Sequence, residues 1–321
     1  VVHLVSASVG DITYDELLAD VRIAGEHVDD AGYAEIRRDL AARYQYVAPA
    51  EDVHAAVAIV ARRRRVNPLC AELDALVWDG VPRLDRAAHV YLGAPLGIAC
   101  VMFSRWALSA MARAFTPGVK ADAALILEGV QGIGKSTALQ IFARGPRYFV
   151  DHLPDLDTEG VLATRGVWIV ELAELSVIHG AARVEKVKSF LSTCVDKVRP
   201  KYARVEMELP RRWVCAGSTN TSQYLADTTG NRRFYPIACS RIDLDAWARD
   251  IDQIHAEALV RKRAAEPHWL LPDEDTIARV EQDARVEGDP WDDTITESWA
   301  RSLPSDGITM SDALARVGLD I

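Results

Sequence analysis

The sequence predicts an α/β fold: a parallel sheet that carries a phosphate-binding loop, with a helical domain before it and a small helical unit after it. Three observations predict this. Residues 127–137 read "LEGVQGIGKST", in which Gly129, Gly134, Lys135 and Ser136 fit the phosphate-loop spacing G-x-x-x-x-G-K-[ST]. From residue 123 onward, short apolar runs rich in β-branched and aromatic residues alternate with helix-compatible segments, the pattern of a parallel sheet covered on both faces. Before about residue 118, the apolar residues instead recur at helical spacing.

Residues 1–118 are therefore expected to form an N-terminal helical domain. "TYDE", from Thr13 to Glu16, has capping-box spacing and is expected to open a helix over "ELLADV". "AEDVHAAVAIVARRRR" places Val53, Val57 and Val60 on one helical face and stops before "NP". The run Arg62 to Arg65 suits either DNA contact or a solvated helix end. "WDGVPRLD" is a turn-rich joint, and "IACVMFSRWALSAMARAF" is a strongly apolar helix ended by "TPG".

Residues 119–242 form the predicted nucleotide-binding core. "AALILE" is a buried strand, the phosphate loop follows, and "KSTALQIFA" is helical. "RYFVD", "GVWIVEL" and "RWVCAGSTN" are further strands, while "KVRPKYARVEMEL" reads as a β-hairpin with its tip near Lys201 to Arg204. Residues 243–272 return to helical period through Leu244, Trp247, Ile251, Ile254 and Leu259. A small C-terminal unit, 273–321, is compatible with a winged helix, carries Ser311 as a helix cap and is expected to be truncated at Ile321.

Composition excludes little but narrows the setting. Half of the 321 residues are apolar and a quarter charged, as in ordinary globular domains. No apolar run is expected to span a bilayer, and the N-terminus lacks the basic flank of a signal peptide. We therefore expect a cytoplasmic protein with no membrane partner. The chain lacks an initiator Met and is expected to be part of a longer polypeptide. Cys70, Cys100, Cys194, Cys215 and Cys239 are scattered, which favours reduced thiols over zinc or disulfides. The net charge is −10, yet residues 183–212 hold nine Lys/Arg against four Asp/Glu.

Each candidate residue has a chemical reason. Glycines at 129, 132 and 134 let the backbone curl so that successive N–H groups face a phosphate, with Thr137 completing the loop. Lys135 would neutralise the β- and γ-phosphates, and Ser136 would supply a hydroxyl to Mg²⁺. Glu171 ends the strand "GVWIVEL" and Glu174 follows three residues later; either suits Mg²⁺ binding or polarisation of a water. Asn220, at the end of "WVCAGSTN", can bond the attacking water or the γ-phosphate. Arg232 and Arg233 in "TGNRRFYPI" suit stabilisation of charge on a transferring phosphoryl group, from within the subunit or from a neighbour.

This order of motifs resembles the virulence-associated E family, itself similar to superfamily 3 helicases and poxvirus-type primase-helicases of the AAA+ class. The resemblance rests on "LVWDGVPRLD", "HVYLG", "LILEGVQGIGKST", "RGVWIVELAEL", "RPKYARVEMELPRRWVCAGSTN" and "TGNRRFYPI", and spans roughly residues 67–270. It implies ATP hydrolysis by a homo-oligomeric ring, a hexamer, that pulls single-stranded DNA. By this resemblance Glu171 or Glu174 holds the magnesium and activates water, Asn220 is the first sensor, and Arg232 or Arg233 is an arginine finger. The hairpin would track DNA through Lys197, Arg199, Lys201 and Arg204. The acidic motif is more widely spaced than usual, and no primase active-site segment precedes residue 67, so no primase activity is expected.

The leading expectation is the helicase part of a phage or mobile-element replication protein. A nucleotide-gated switch or assembly ATPase has no obvious use for the basic hairpin, and a small-molecule kinase would need a second substrate pocket that the sequence does not show.

Overall fold

The computed structural model describes residues 1–151, 158–173, 181–199, 206–225 and 230–286. The chain opens with α1 (Val2–Ser8), β1 (Ile12–Asp15), β2 (Asp20–Ile23), β3 (Glu26–His27), α2 (Asp30–Tyr44), α3 (Ala50–Arg63) and β4 (Arg65–Val66). The four strands make one small sheet in the order β3-β2-β1-β4. The N-terminal region is thus not all helical, and the "TYDE" stretch is a strand and turn rather than a helix start. The Asp15 carboxylate accepts the backbone N–H groups of Leu17 and Leu18, and Ala19 closes the turn at φ 52°. Burial of Ile12 among Val5, Leu40, Val53 and Val57 outweighs the local helix signal.

Next come α4 (Pro68–Asp74), α5 (Ala87–Leu92) and α6 (Ile98–Phe115). Asn67 caps α4 by accepting from Cys70 N–H, with Pro68 at the first helical position. The joint between α4 and α5 is held by one buried carboxylate: Glu257 accepts the N–H groups of Arg83 and Leu84 at 2.6 and 2.9 Å. Arg83 and Asp79 pair within the same joint, which explains why "WDGVPRLD" has the residues it has. By length and composition α6 could cross a membrane, contrary to expectation, but 72% of it is buried inside the protein. It is a core helix, and its Trp106 donates to the Cys215 carbonyl of the central sheet at 2.7 Å.

The central sheet and its helices are β5 (Ala124–Glu128), α7 (Lys135–Phe142), β6 (Phe149–Val150), α8 (Thr158–Ala163), β7 (Ile169–Ala173), α9 (Ala181–Ser192), β8 (Val195–Val198), β9 (Met207–Pro210), β10 (Val214–Thr219) and β11 (Phe234–Ala238). Five of these strands form a fully parallel sheet in the order β11-β5-β10-β7-β6. The α/β class and the parallel core are as the alternating pattern predicts. Leu125 and Leu127 face a core built with α4 to α7, whereas Ala124 and Ile126 face α9, the period of two that a sheet covered on both sides requires.

The chain ends its described part with α10 (Leu244–Arg263) and α11 (Pro272–Asp283). Trp247, Ile251, Ile254 and Leu259 of α10 are buried, on the face expected from their spacing. Arg105 of α6 bonds Glu274 of α11 through two nitrogens, at 3.1 and 2.7 Å, and so ties α11 to the core. The apolar core is continuous from α4 through α10, so residue 118 is not a break in the packing. Ser311 and the rest of the small C-terminal unit beyond residue 286 lie outside the described residues.

Candidate nucleotide site

The carboxyl ends of β5, β10 and β7 finish level, because Thr219 pairs with Glu128 on one side and Ser218 with Ala173 on the other. Parallel sheets bind ligands at this end. The phosphate loop leaves β5 at Gly129, whose φ of 150° favours glycine, and a Cβ there would meet the Cys239 carbonyl oxygen at 2.7 Å. Gly134 caps α7 at φ 95°, so the N–H groups of the first turn face outward where an anion can be received. Gly132 lies at the loop tip in open space, and Ser136 and Thr137 are exposed on the first turn of α7.

Four candidate side chains converge here. Lys135 donates to the carbonyl oxygens of Gly129 and Val130 at 2.6 and 3.0 Å and to Asn220 Oδ1 at 2.8 Å. Ser136 donates to Glu171 Oε1 at 2.7 Å. Strand order explains the meeting: β10 lies between β5 and β7 and delivers Asn220 between the loop and the acid. Burial lowers the pKa of Lys135 and raises that of Glu171, the latter opposed by hydroxyl bonds from Ser218 and Ser136.

Glu171 has the chemistry to hold a cation. It is 1% exposed, and its Oε2 is buried without a hydrogen-bond partner. An orphaned carboxylate oxygen beside a serine hydroxyl fits a small divalent cation, which takes oxygen ligands and usually binds through one or two carboxylates plus phosphate. No cluster of three or more His, Cys, Asp or Glu occurs among the described residues, so no all-protein metal cage competes with that arrangement. Glu174 lies outside the described residues.

Arg232 and Arg233 are elsewhere. They form a 3₁₀ turn before β11, whose first residue, Phe234, pairs with Ala124, the first residue of β5. The phosphate loop follows the last residue of β5, so a strand length of about 13 Å separates the arginines from it. They line a cleft of about 410 Å³ with Arg279, Gln282 and Asp283 of α11. The arginines thus sit at the opposite end of the sheet from the phosphate-loop motif of their own subunit.

The hairpin exists, with β8 and β9 antiparallel and Lys197 and Arg199 on its exposed face. Lys197, however, pairs with Glu208 directly across the ladder at 3.0 Å, and Glu206 and Glu208 share that exposed face. Much of the local basic excess is spent inside the protein. Arg211 is 3% exposed, chelates Asp196 at 2.6 and 2.7 Å, and lies over the rings of Phe190 and Trp213. Arg212 pairs with Glu16, and Lys188 is buried. Lys201 and Arg204, at the tip, lie outside the described residues. Two residues of the run Arg62–Arg65 are similarly engaged: Arg64 bonds Asp11 and Arg65 bonds Glu16.

Sequence reasoning missed Ser218, which donates to Glu171 Oε1 at 2.6 Å. The available signal was its place two residues before Asn220, in step on a strand. It also missed Glu128, which is buried at the end of β5 and accepts bonds from Tyr224 and from the Arg285 guanidinium.

The virulence-associated protein E-like domain model matches residues 73–287. The chain belongs to this family. The family span begins after the small N-terminal sheet and takes in the loop, acid, hairpin, Asn220 and arginine candidates, but not the run Arg62–Arg65. Two solved structures are similar in fold: the apo structure of the NrS-1 C-terminal region, residues 305–718, with a TM-score of 0.52, 11% identity and coverage of 91% of this chain and 75% of that one; and an A-form apo structure of the same region, with a TM-score of 0.50, 13% identity and coverage of 92% and 76%. No curated protein matches.

Proposed function

We propose that this virulence-associated E-like chain is an ATP-hydrolysing DNA motor, a P-loop ATPase of the superfamily 3 helicase type serving phage or mobile-element replication, and that it works as a homo-oligomeric ring. The observation that supports it best is the convergence of Lys135, Ser136, Glu171 and Asn220 at the ends of three adjacent strands. ATP and Mg²⁺, when bound, supply the phosphoanhydride and the charge that draws its oxygens. Lys135 would give up its loop carbonyls for phosphate oxygens, Ser136 and Glu171 would hold the cation, and Asn220 would orient the attacking water. Arg232 or Arg233 would serve a neighbour's nucleotide, a role that suits their place at the far end of the sheet from the loop.

The test is Mg²⁺-dependent ATP hydrolysis with and without single-stranded DNA. A rate raised severalfold by single strands of any sequence is the expected result. Hydrolysis indifferent to DNA would favour the second reading, a nucleotide-gated switch without translocation. One observation speaks for that second reading: the described face of the hairpin is balanced by Glu206 and Glu208. The motor reading therefore depends on Lys201 and Arg204.

A further inference from the structure

We infer that Ser218 is a positioning residue that fixes the Glu171 carboxylate for the divalent cation, an inference that rests on the nucleotide-site reading above. Two hydroxyls, Ser136 at 2.7 Å and Ser218 at 2.6 Å, donate to the same oxygen, Glu171 Oε1. They are not equivalent. Ser136 opens α7 beside the phosphate loop and is exposed, so it is the hydroxyl free to turn toward a nucleotide-bound cation. Ser218 sits within β10, which is bonded on both sides by β5 and β7, and its backbone has no freedom to withdraw.

The terminal torsion of a glutamate is broad and roughly two-fold, so a carboxylate with one orphan oxygen needs an external group to set its plane. Glu171 Oε2 has no partner, and among the described residues only the two serines hold Oε1. When Ser136 leaves, Ser218 is the remaining donor and decides where Oε2 points. The same strand then places both the sensor Asn220 and the clamp on the acid, two residues apart, so that sensor and acid move as one unit. Partners that orient a metal ligand in this way typically carry a 10–100-fold effect on metal affinity or activity when removed.

The experiment uses the full chain with Ser218→Ala, Ser218→Cys and Ser218→Thr. Mn²⁺ is titrated by electron paramagnetic resonance in the presence of a non-hydrolysable ATP analogue, alongside metal-free binding of that analogue. Ser218→Ala and Ser218→Cys, which lack a strong donor, should weaken Mn²⁺ about 10-fold or more. They should also lower kcat with little change in the KM for ATP, and leave metal-free nucleotide binding unchanged. Ser218→Thr, which keeps the hydroxyl, should restore all of these. Unchanged Mn²⁺ affinity in both Ala and Cys variants overturns the assignment, as does an equal loss of metal-free nucleotide binding. If the wild-type chain binds no nucleotide at all, the nucleotide-site reading falls and this inference falls with it. If it binds nucleotide and Mn²⁺ while the variants match it, only the role of Ser218 fails.

Discussion

The Lys135 ammonium and the Asn220 side-chain oxygen are 2.8 Å apart, although 85 residues separate them in the chain. The remaining two ammonium protons go to Gly129 and Val130 carbonyls, so all three donors are occupied. The candidate phosphate loop is thus held closed on its own lysine, and a phosphate bound there would have to compete with three neutral oxygens for it. A charged acceptor bonds an ammonium roughly twice as strongly as a neutral one, so on the proposed reading phosphate would win.

Lys135→Ala should therefore abolish hydrolysis, a loss of at least about 100-fold, since no other group supplies its charge. Asn220→Ala should retain nucleotide binding but lose rate, because Lys135 keeps its carbonyl partners. Asn220→Asp should weaken nucleotide binding, because the new carboxylate both pairs with Lys135 and repels phosphate. Equilibrium binding of a fluorescent ATP analogue, measured beside the hydrolysis rate, separates the three outcomes. Wild-type activity in Lys135→Ala would sink the site assignment.

The arginine turn lies at the opposite end of the sheet from the phosphate loop. If Arg232 or Arg233 contributes to hydrolysis, it does so in a neighbouring subunit. Activity per subunit should then rise with protein concentration, and doping Arg232→Ala or Arg233→Ala subunits into wild type should depress the rate beyond dilution. Arg233 also accepts a structural duty, since its Nε donates to Ser192 Oγ at 2.9 Å, whereas Arg232 is exposed. Arg232→Ala should accordingly poison the mixture without lowering thermal stability, and Arg233→Ala should lower both. A concentration-independent rate from a sedimenting monomer contradicts this.

How far the sequence could carry these conclusions depends on the range of the forces involved. The phosphate loop, the strands around it and helices α6 and α10 were legible, because glycine geometry and apolar period act within a few residues. The strand at Ile12–Asp15 was not: "TYDE" satisfies a local capping rule, but contact with Val53 and Val57 decides the outcome. That Lys197 has a partner was not legible either, because Glu208 comes opposite only when the hairpin register is known. Arg232 and Arg233 sat at an expected place in the order of motifs, yet linear order does not say which end of the sheet they occupy. Ser218 was hidden for the same reason: its meaning comes from the neighbouring strand.

The hairpin yields a graded expectation. Lys197 is already neutralised by Glu208, so Lys197→Ala should change single-stranded DNA affinity by less than about twofold, in keeping with the small value of an exposed ion pair. Glu208→Gln should strengthen binding by releasing that charge. Lys201→Ala or Arg204→Ala should weaken binding equally for all sequences and flatten the salt dependence by roughly 0.7 in log–log slope. DNA-stimulated hydrolysis should fall with them while basal hydrolysis survives. Equal affinities across all four variants would make the basic cluster a solvated face.

His255 sets an acid limit on the fold. It is fully buried in α10 between Phe142 and Trp168, with ring centroids at 4.9 and 5.3 Å, and neither ring nitrogen has a partner. Burial, with the Arg144 charge, holds its pKa down to about 3 from 6.5. The folded state therefore binds its proton less readily than the unfolded state does. The stability this contributes is complete above pH 6.5 and is lost as pH falls from 6.5 toward 3, on the order of 5 kcal/mol in all. His255→Phe keeps an aromatic ring against Phe142 and Trp168 and removes the titration. It should be near-neutral or stabilising at pH 7.5, since two unsatisfied nitrogens go with the imidazole. Urea unfolding at pH 7.5, 5.5 and 4.5 should then show the variant gaining on wild type at each step down. Carboxylates elsewhere titrate in both proteins and cancel in the difference. Parallel stability curves for the two proteins over that range would mean that His255 finds a proton acceptor in the core and is not the group that limits the fold in acid.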